Sequence, residues 1–397
     1  MCWFFGKRIS EGLSPTGDVP VGLVASDWGG TNLISWTPAD ATADCAITKN
    51  CTGKGWIGGI HYNAMVHPFT VGPMAVSGFA WYQGENGAGA PTGVKPAGPC
   101  ITMPADPDPI FNNNVDLIMY DCLFPAMIKA WRRAFKVPNA YFGFIQLASW
   151  MQMGGGAPRD KYGNGNRLFA LDQAGMRHAQ MSAAGLPNVG YATYADCGQG
   201  ALHPTNKWRP GARLGNSALA IQFGKRVPWI SPTYASGTSS ISGGTVYVTI
   251  TLANATDLET VTPYNVRQCS RQMRCVVGQE PSPHGRGDVG CIPINTSAGW
   301  AGYPENIGGD CGWAAIKSAN GGWANATVSI KGSGAGTQLV LQTPATLIKG
   351  NVVATSYGWG VFAMISTYTV AQVNSTLAGS DDQRAGGIPV LPWNRTL

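Results

Sequence analysis

Val76-Ser-Gly-Phe-Ala-Trp-Tyr-Gln-Gly-Glu-Asn86 passes from an apolar run into a polar burst within a few residues. Its first part, Val76 to Tyr82, has the length and composition of a buried strand, and Gly84 stops it. Three other runs have the same shape: Val19 to Ala25, stopped by Gly29-Gly30, then Tyr141 to Ala148 and Val189 to Tyr194. Helical periodicity fills Asp116 to Phe135, Arg167 to Ala184 and Ala212 to Arg226. Strands alternating with helices of this length predict βαβ units and a parallel sheet. Ligands of such sheets bind at the carboxyl ends of the strands. The segments to inspect are therefore Ser26–Thr31, Gln83–Gly87, Ser149–Met153 and Asp196–His203.

After about Pro228 the texture changes. Thr, Val, Ser and Gly dominate, and apolar residues alternate with polar ones in Thr245-Val-Tyr-Val-Thr-Ile-Thr-Leu252 and Gln338-Leu-Val-Leu-Gln342. A period of two is the signature of half-buried strands. The expected organisation is an α/β domain over residues 1–227 followed by a β-rich, sandwich-like domain over 228–397. A chain of 397 residues is long enough for two such cores.

Composition narrows the function classes. Only 12% of the residues are charged, with 54 Gly and 27 Pro, which describes a loop-rich globular protein. The net charge of +6 is spread without a Lys/Arg run, so no nucleic-acid footprint is present. No apolar stretch is long enough for a membrane-spanning helix. Six N-x-S/T sequons, at Asn50, Asn254, Asn295, Asn325, Asn374 and Asn394, accompany ten cysteines. Together they point to the secretory pathway, with a secreted or lysosomal protein expected. Cys45 and Cys51, and the group Cys269, Cys275, Cys291 and Cys311, lie in loops that disulfides would staple, with the pairing left open. No zinc-type spacing of Cys or His occurs, so neither a metal nor a cofactor is expected. Met1-Cys-Trp-Phe-Phe-Gly-Lys7 lacks the basic and long apolar regions of a signal peptide, and the expectation is a true start further upstream.

Three strand-end segments carry chemistry. Gly29-Gly30-Thr31 offers backbone N–H groups at a sharp turn, a means of holding an oxyanion, although any turn uses glycine. Gln83-Gly84-Glu85-Asn86 adds a side-chain amide at Asn86. His203, in Gly200-Ala-Leu-His-Pro-Thr-Asn206, follows the last strand of the α/β half, where a general base belongs. Asp196, or a carboxylate elsewhere, would orient its ring. His61 and His67 flank apolar residues and read as structural. His178 lies in a helical pattern and His284 in a Gly/Pro loop. Arg286-Gly287-Asp288 reads as a solvated loop rather than an adhesion tripeptide.

These bursts, in this order, resemble the sialate O-acetylesterase family of the SGNH hydrolases. Pro20-Val-Gly-Leu-Val-Ala-Ser-Asp-Trp-Gly-Gly-Thr31 looks like the block whose glycine helps form the oxyanion hole. Ala80-Trp-Tyr-Gln-Gly-Glu-Asn86 looks like the next block, and Leu202-His-Pro-Thr-Asn-Lys207 like the one carrying the catalytic histidine. Trp131-Arg-Arg-Ala-Phe135, Phe144-Ile-Gln-Leu-Ala148 and Cys122-Leu-Phe-Pro-Ala126 share the family texture. The resemblance covers roughly residues 1–225 and reaches the β-rich remainder only loosely. It implies an SGNH-like parallel-sheet domain with its amino-terminal part missing, and a carboxylic ester hydrolase acting on acetylated sialic acid or another acetylated glycan. It also implies His203 as base, Gly30 and Asn86 as oxyanion donors, and Gln83 and Glu85 as substrate contacts.

Three departures stand out. The family carries its serine in a G-Q-S-N-like block ahead of the W-G-G-T block, and nothing here precedes Trp28 with that pattern; Ser10 and Ser14 lie in Arg8-Ile-Ser-Glu-Gly-Leu-Ser-Pro15. The Asn common two places after the Glu is Gly87 here, and the Asp common three places before the His is Gly200. No nucleophile is therefore assigned. Two other readings remain: a catalytically inactive glycan-binding homologue, with Trp28, Trp36, Trp81 and Trp150 as candidate sugar-stacking residues, and an acetylesterase for another polysaccharide.

Overall fold

A computed structural model describes residues 1–14, 16, 18–42, 45, 59–72, 74–85, 88, 115–149, 173–197, 203–260, 311–359, 362–363, 365–370 and 387–397. The chain divides into two compact units. The first holds the described residues of Met1–Leu147, Gly154–Ala192 and Pro210–Pro228; the second holds those of Ala148–Met153, Thr193–Arg209 and Trp229–Leu397.

The first unit is built on a three-stranded parallel sheet of β1 (Gly78–Trp81), β2 (Tyr141–Gln146) and β3 (Val189–Thr193), in that order. β1 and β2 run in parallel with Gly78 opposite Tyr141 and Trp81 opposite Phe144. Every residue of β2 and β3 is buried, which explains their continuous apolar runs. The helices are α1 (Cys2–Leu13), α2 (Leu33–Trp36), α3 (Ala39–Thr42), α4 (His67–Val71), α5 (Val115–Ala134), α6 (Gln173–Gln180) and α7 (Trp208–Ile221). α5 covers the sheet with an aromatic face: Phe124 meets Phe144 at 5.3 Å and Trp131 meets Phe142 at 6.2 Å between ring centroids.

One sequence expectation is corrected here, and one unforeseen element appears. Val19–Ala25 is not a strand: it forms no ladder, and Leu23 and Val24 are exposed. Pro20 removes a ladder donor and Gly22 weakens extended pairing, so the apolar run alone does not make a strand. The amino-terminal residues, to which the sequence patterns assign no element, form α1. Its Phe5, Ile9 and Leu13 recur every fourth residue and pack with Tyr141 and Ala218. α5 falls near its expected span, α6 occupies Gln173–Gln180 of the expected Arg167–Ala184, of which 167–172 lie outside the described residues, and α7 begins four residues earlier than the periodicity indicated.

In the second unit β4 (Thr233–Ser242) and β5 (Thr245–Ala253) form a hairpin turned by Gly243-Gly244, both with positive φ. The remaining strands are β6 (Leu258–Thr260), β7 (Cys311–Gly312), β8 (Ala315–Ser318), β9 (Trp323–Asn325), β10 (Thr327–Lys331), β11 (Gln338–Pro344), β12 (Val352–Tyr357), β13 (Phe362–Ala363), β14 (Thr367–Thr369) and β15 (Trp393–Thr396). One four-stranded sheet has the order β10-β11-β5-β4 and another β15-β12-β8-β9. Both are antiparallel. Val246, Val248, Ile250, Leu339 and Leu341 of the first share one core with Ile316, Tyr357 and Trp393 of the second. The mixed α/β architecture with a separate β-rich region is thus as the sequence indicated.

Candidate active site

In the first unit, two of the inspected segments meet at the end of β1. Trp28 to Thr31 is a turn in which Gly30 has φ +74°, a value that suits the third residue of a turn needing positive φ. Thr31 Oγ1 donates to Trp28 O at 2.9 Å and accepts from Trp36 Nε1 at 2.8 Å, closing the turn and tying it to α2. Gln83, two residues past β1, then joins the turn to the strand: its Nε2 donates to Thr31 O at 2.9 Å.

Gln83 is itself held on its other polar atoms. Tyr120 Oη donates to Gln83 Oε1 at 3.1 Å, and Trp81 Nε1 donates to Tyr120 Oη at 3.2 Å. Gln180 Nε2 donates to Gln83 O at 3.0 Å, while Gln180 Oε1 accepts from Leu147 N at 3.1 Å. Gly84 follows with φ +128°, in a region that side-chain-bearing residues rarely enter. A Cβ there would also sit 3.4 Å from Met176 Cγ. Glycine at position 84 is therefore a conformational requirement of this loop. Glu85 is half-buried, and its O accepts from Ala88 N at 3.3 Å. Asn86 lies outside the described residues.

In the second unit, the segments that follow β2 and β3 pack together. Ser149 Oγ donates to Ala195 O at 2.7 Å and accepts from Ala363 N at 3.4 Å. Asp196 is almost fully buried and accepts from Tyr368 Oη at 3.0 Å on Oδ2. Tyr194 Oη donates to Asn206 O at 2.6 Å, and Lys207 Nζ lies 5.6 Å from the centre of the Tyr194 ring. Burial first, then the neighbouring Cys197 and Asp196, push the Tyr194 phenol up, so it stays protonated and donating. This bond anchors the loop that carries His203 to the end of β3. His203 itself is exposed and, among the described residues, makes no hydrogen bond or ion pair. The structure thus brings Gly30 together with Gln83 and seats Asp196 against Tyr368, without pairing Asp196 with His203.

The remaining candidates are placed as follows. His61 is buried, its ring stacked on Trp36 at 5.1 Å and lying 6.1 Å from Trp28; His67 is exposed beside Tyr62. Ser10 lies in α1 and donates to Val19 O at 2.7 Å, and Ser14 Oγ pairs with Thr16 Oγ1 at 2.8 Å. Asn254 is exposed, and Asn325 and Asn394 are half-buried in β9 and β15. Asn50, Asn295 and Asn374 lie outside the described residues, as do Trp150, His284 and Arg286–Asp288. Cys45 is bonded to Cys122 of α5 across 77 positions. No described helix is long and apolar enough to cross a membrane.

Three residues escaped the sequence reading: Tyr120, Gln180 and Tyr368. Each supports a strand-end loop from a distant position, so no local pattern marks it.

The first unit thus presents a strand-end site with a glycine turn on a parallel α/β sheet. No family model matches the chain. It is similar to the sialate O-acetylesterases of Homo sapiens and Pongo abelii, 27% identical over 248 residues, covering 57% of this chain and 39% of theirs. The Rattus norvegicus sialate O-acetylesterase is 26% identical over 274 residues, with 57% and 43% covered. The chain therefore spans about two fifths of the length of the curated relatives it matches. A crystal structure of a carbohydrate acetylesterase from Xanthomonas citri aligns with TM-score 0.59 and 22% identity, covering 99% of this chain and 64% of that one. Over the matched part the chain is similar in sequence to the sialate O-acetylesterases.

Proposed function

We propose that the protein is a carbohydrate O-acetylesterase that removes acetyl esters from sialic acids. The observation carrying this reading is the glycine turn clamped at the strand end, Gln83 Nε2 to Thr31 O at 2.9 Å. A preorganised turn is what electrostatic stabilisation of a tetrahedral oxyanion requires, because donors fixed beforehand need no reorganisation during reaction. In this reading Gly30 N–H and the Asn86 amide hold the oxyanion, and Gln83 and Glu85 border the substrate. His203, exposed at the surface of its loop, takes the proton of a serine nucleophile and later activates water. Asp196 is assigned to the support of the β3 end. The serine is not assigned within this chain: Ser10, in α1, donates to Val19 O, and Ser14 pairs with Thr16. The sequons and the disulfide support a secreted or lysosomal glycoprotein.

The test is acetate release by the protein expressed from its natural transcript, with O-acetylated sialic acid, acetylated xylan and a non-sugar acetyl ester as substrates. Preference for the sialic acid supports the proposal; preference for xylan redirects it to another polysaccharide. No release from any of them, together with saturable glycan binding, favours the binding homologue instead.

A further inference from the structure

A rank of aromatic rings runs outward from the end of β1 to the glycine turn. Trp81, buried, meets the edge of Trp36 at 5.8 Å; Trp36 stacks on His61 at 5.1 Å with planes 19° apart; His61 lies 6.1 Å from Trp28. Trp28 ends the rank with 61% of its surface exposed. Isolated exposed apolar residues are ordinary and need no explanation. Trp28 differs from those in two respects. It is the first residue of the turn that holds Gly30, and its carbonyl is fixed by Thr31 Oγ1 at 2.9 Å. Its ring also lies beside His61, which is itself stacked on Trp36, and this limits the conformational freedom that a ligand would otherwise have to remove. Among the described residues His61 Nδ1 is buried without a hydrogen-bond partner, and burial holds this imidazole below its ordinary pKa, so a neutral flat ring supports the rank.

Building on the acetylesterase reading of the adjoining turn, we propose that Trp28 is a stacking platform for a pyranose ring of the acetylated glycan. The apolar C–H face of the sugar lies on the exposed indole, and the ring position is thereby set beside the Gly30 turn. The platform is a binding element and takes no part in proton transfer.

The experiment is a titration of the full chain with O-acetylated sialyl oligosaccharide and acetylated xylo-oligosaccharide by isothermal calorimetry. The variants are Trp28→Ala, Trp28→Phe and the control Trp3→Ala, whose target is 70% exposed on α1. Trp28→Ala is expected to weaken binding ~10-fold, equivalent to about 1.4 kcal/mol. Trp28→Phe keeps most of the affinity, and Trp3→Ala changes nothing. Equal Kd for wild type and Trp28→Ala, with matching unfolding curves, overturns the platform while leaving the acetylesterase reading in place. No binding of either glycan by wild type overturns both.

Discussion

Tyr368 Oη donates a hydrogen bond to Asp196 Oδ2 at 3.0 Å, although the two residues are 172 positions apart. Both are buried, and Tyr368 belongs to β14 in the β-rich part of the chain. The segment after β3 is thus held by a residue that no local pattern connects to it. Removing a donor from a buried carboxyl group costs about 1–3 kcal/mol. Tyr368→Phe, which retains the ring, is expected to lower unfolding free energy by that amount in urea titration. An unchanged midpoint would mean that the bond contributes nothing.

Gln83 connects the Trp28–Thr31 turn to the β1 end, and its two side-chain atoms have opposite tasks. Nε2 donates to Thr31 O and Oε1 accepts from Tyr120 Oη. Gln83→Glu retains the acceptor but places an oxygen against the Thr31 carbonyl. Faster amide exchange at Gly30 and Thr31 is expected in this variant, along with a loss of ~1–3 kcal/mol. Wild-type exchange rates at these two amides would show that the clamp does not hold the turn.

His61 makes stability depend on pH in a defined direction. Burial lowers its folded pKa below the ordinary 6.5, so the folded state prefers the neutral ring. Below about pH 6.5 the unfolded chain takes up the proton first, and the unfolded state binds more protons. The contribution is therefore fully present above that pH and is lost as pH falls through the lower folded value. The slope of Tm against pH in this range is expected to be shallower in His61→Phe than in wild type, as read by calorimetry. Parallel slopes would remove His61 from the account.

The Cys45–Cys122 bond closes a long loop onto α5. A cross-link of this span stabilises chiefly by restricting the unfolded chain, typically by about 2–4 kcal/mol. The Cys45→Ser/Cys122→Ser double variant should lose that stability, and a reductant should then have less effect on its Tm than on that of wild type.

The sequence exposed the parallel sheet because β2 and β3 are buried on both faces and so appear as unbroken apolar runs. The β4–β5 hairpin was legible for a related reason: inward Val246, Val248 and Ile250 alternate with residues that face away from the core. Val19–Ala25 misled because hydrophobicity records burial potential, whereas a strand also needs donors and a neighbour, and Pro20 supplies no donor. α1 was missed because its stripe of Phe5, Ile9 and Leu13 is narrow and polar residues separate its members. At the candidate site, the post-strand residues were visible as polar bursts. Their supports were not, because Tyr120, Gln180 and Tyr368 act through the fold rather than along the chain.

Replacement of the proposed base tests the catalytic assignment most directly. With the protein expressed from its natural transcript, kcat/KM for acetate release from O-acetylated sialic acid is to be compared between wild type and His203→Ala. A fall of roughly 10²–10⁴-fold is expected, the usual contribution of general acid–base catalysis, with unfolding curves unchanged. A His203→Ala protein that releases acetate at the wild-type rate would contradict it.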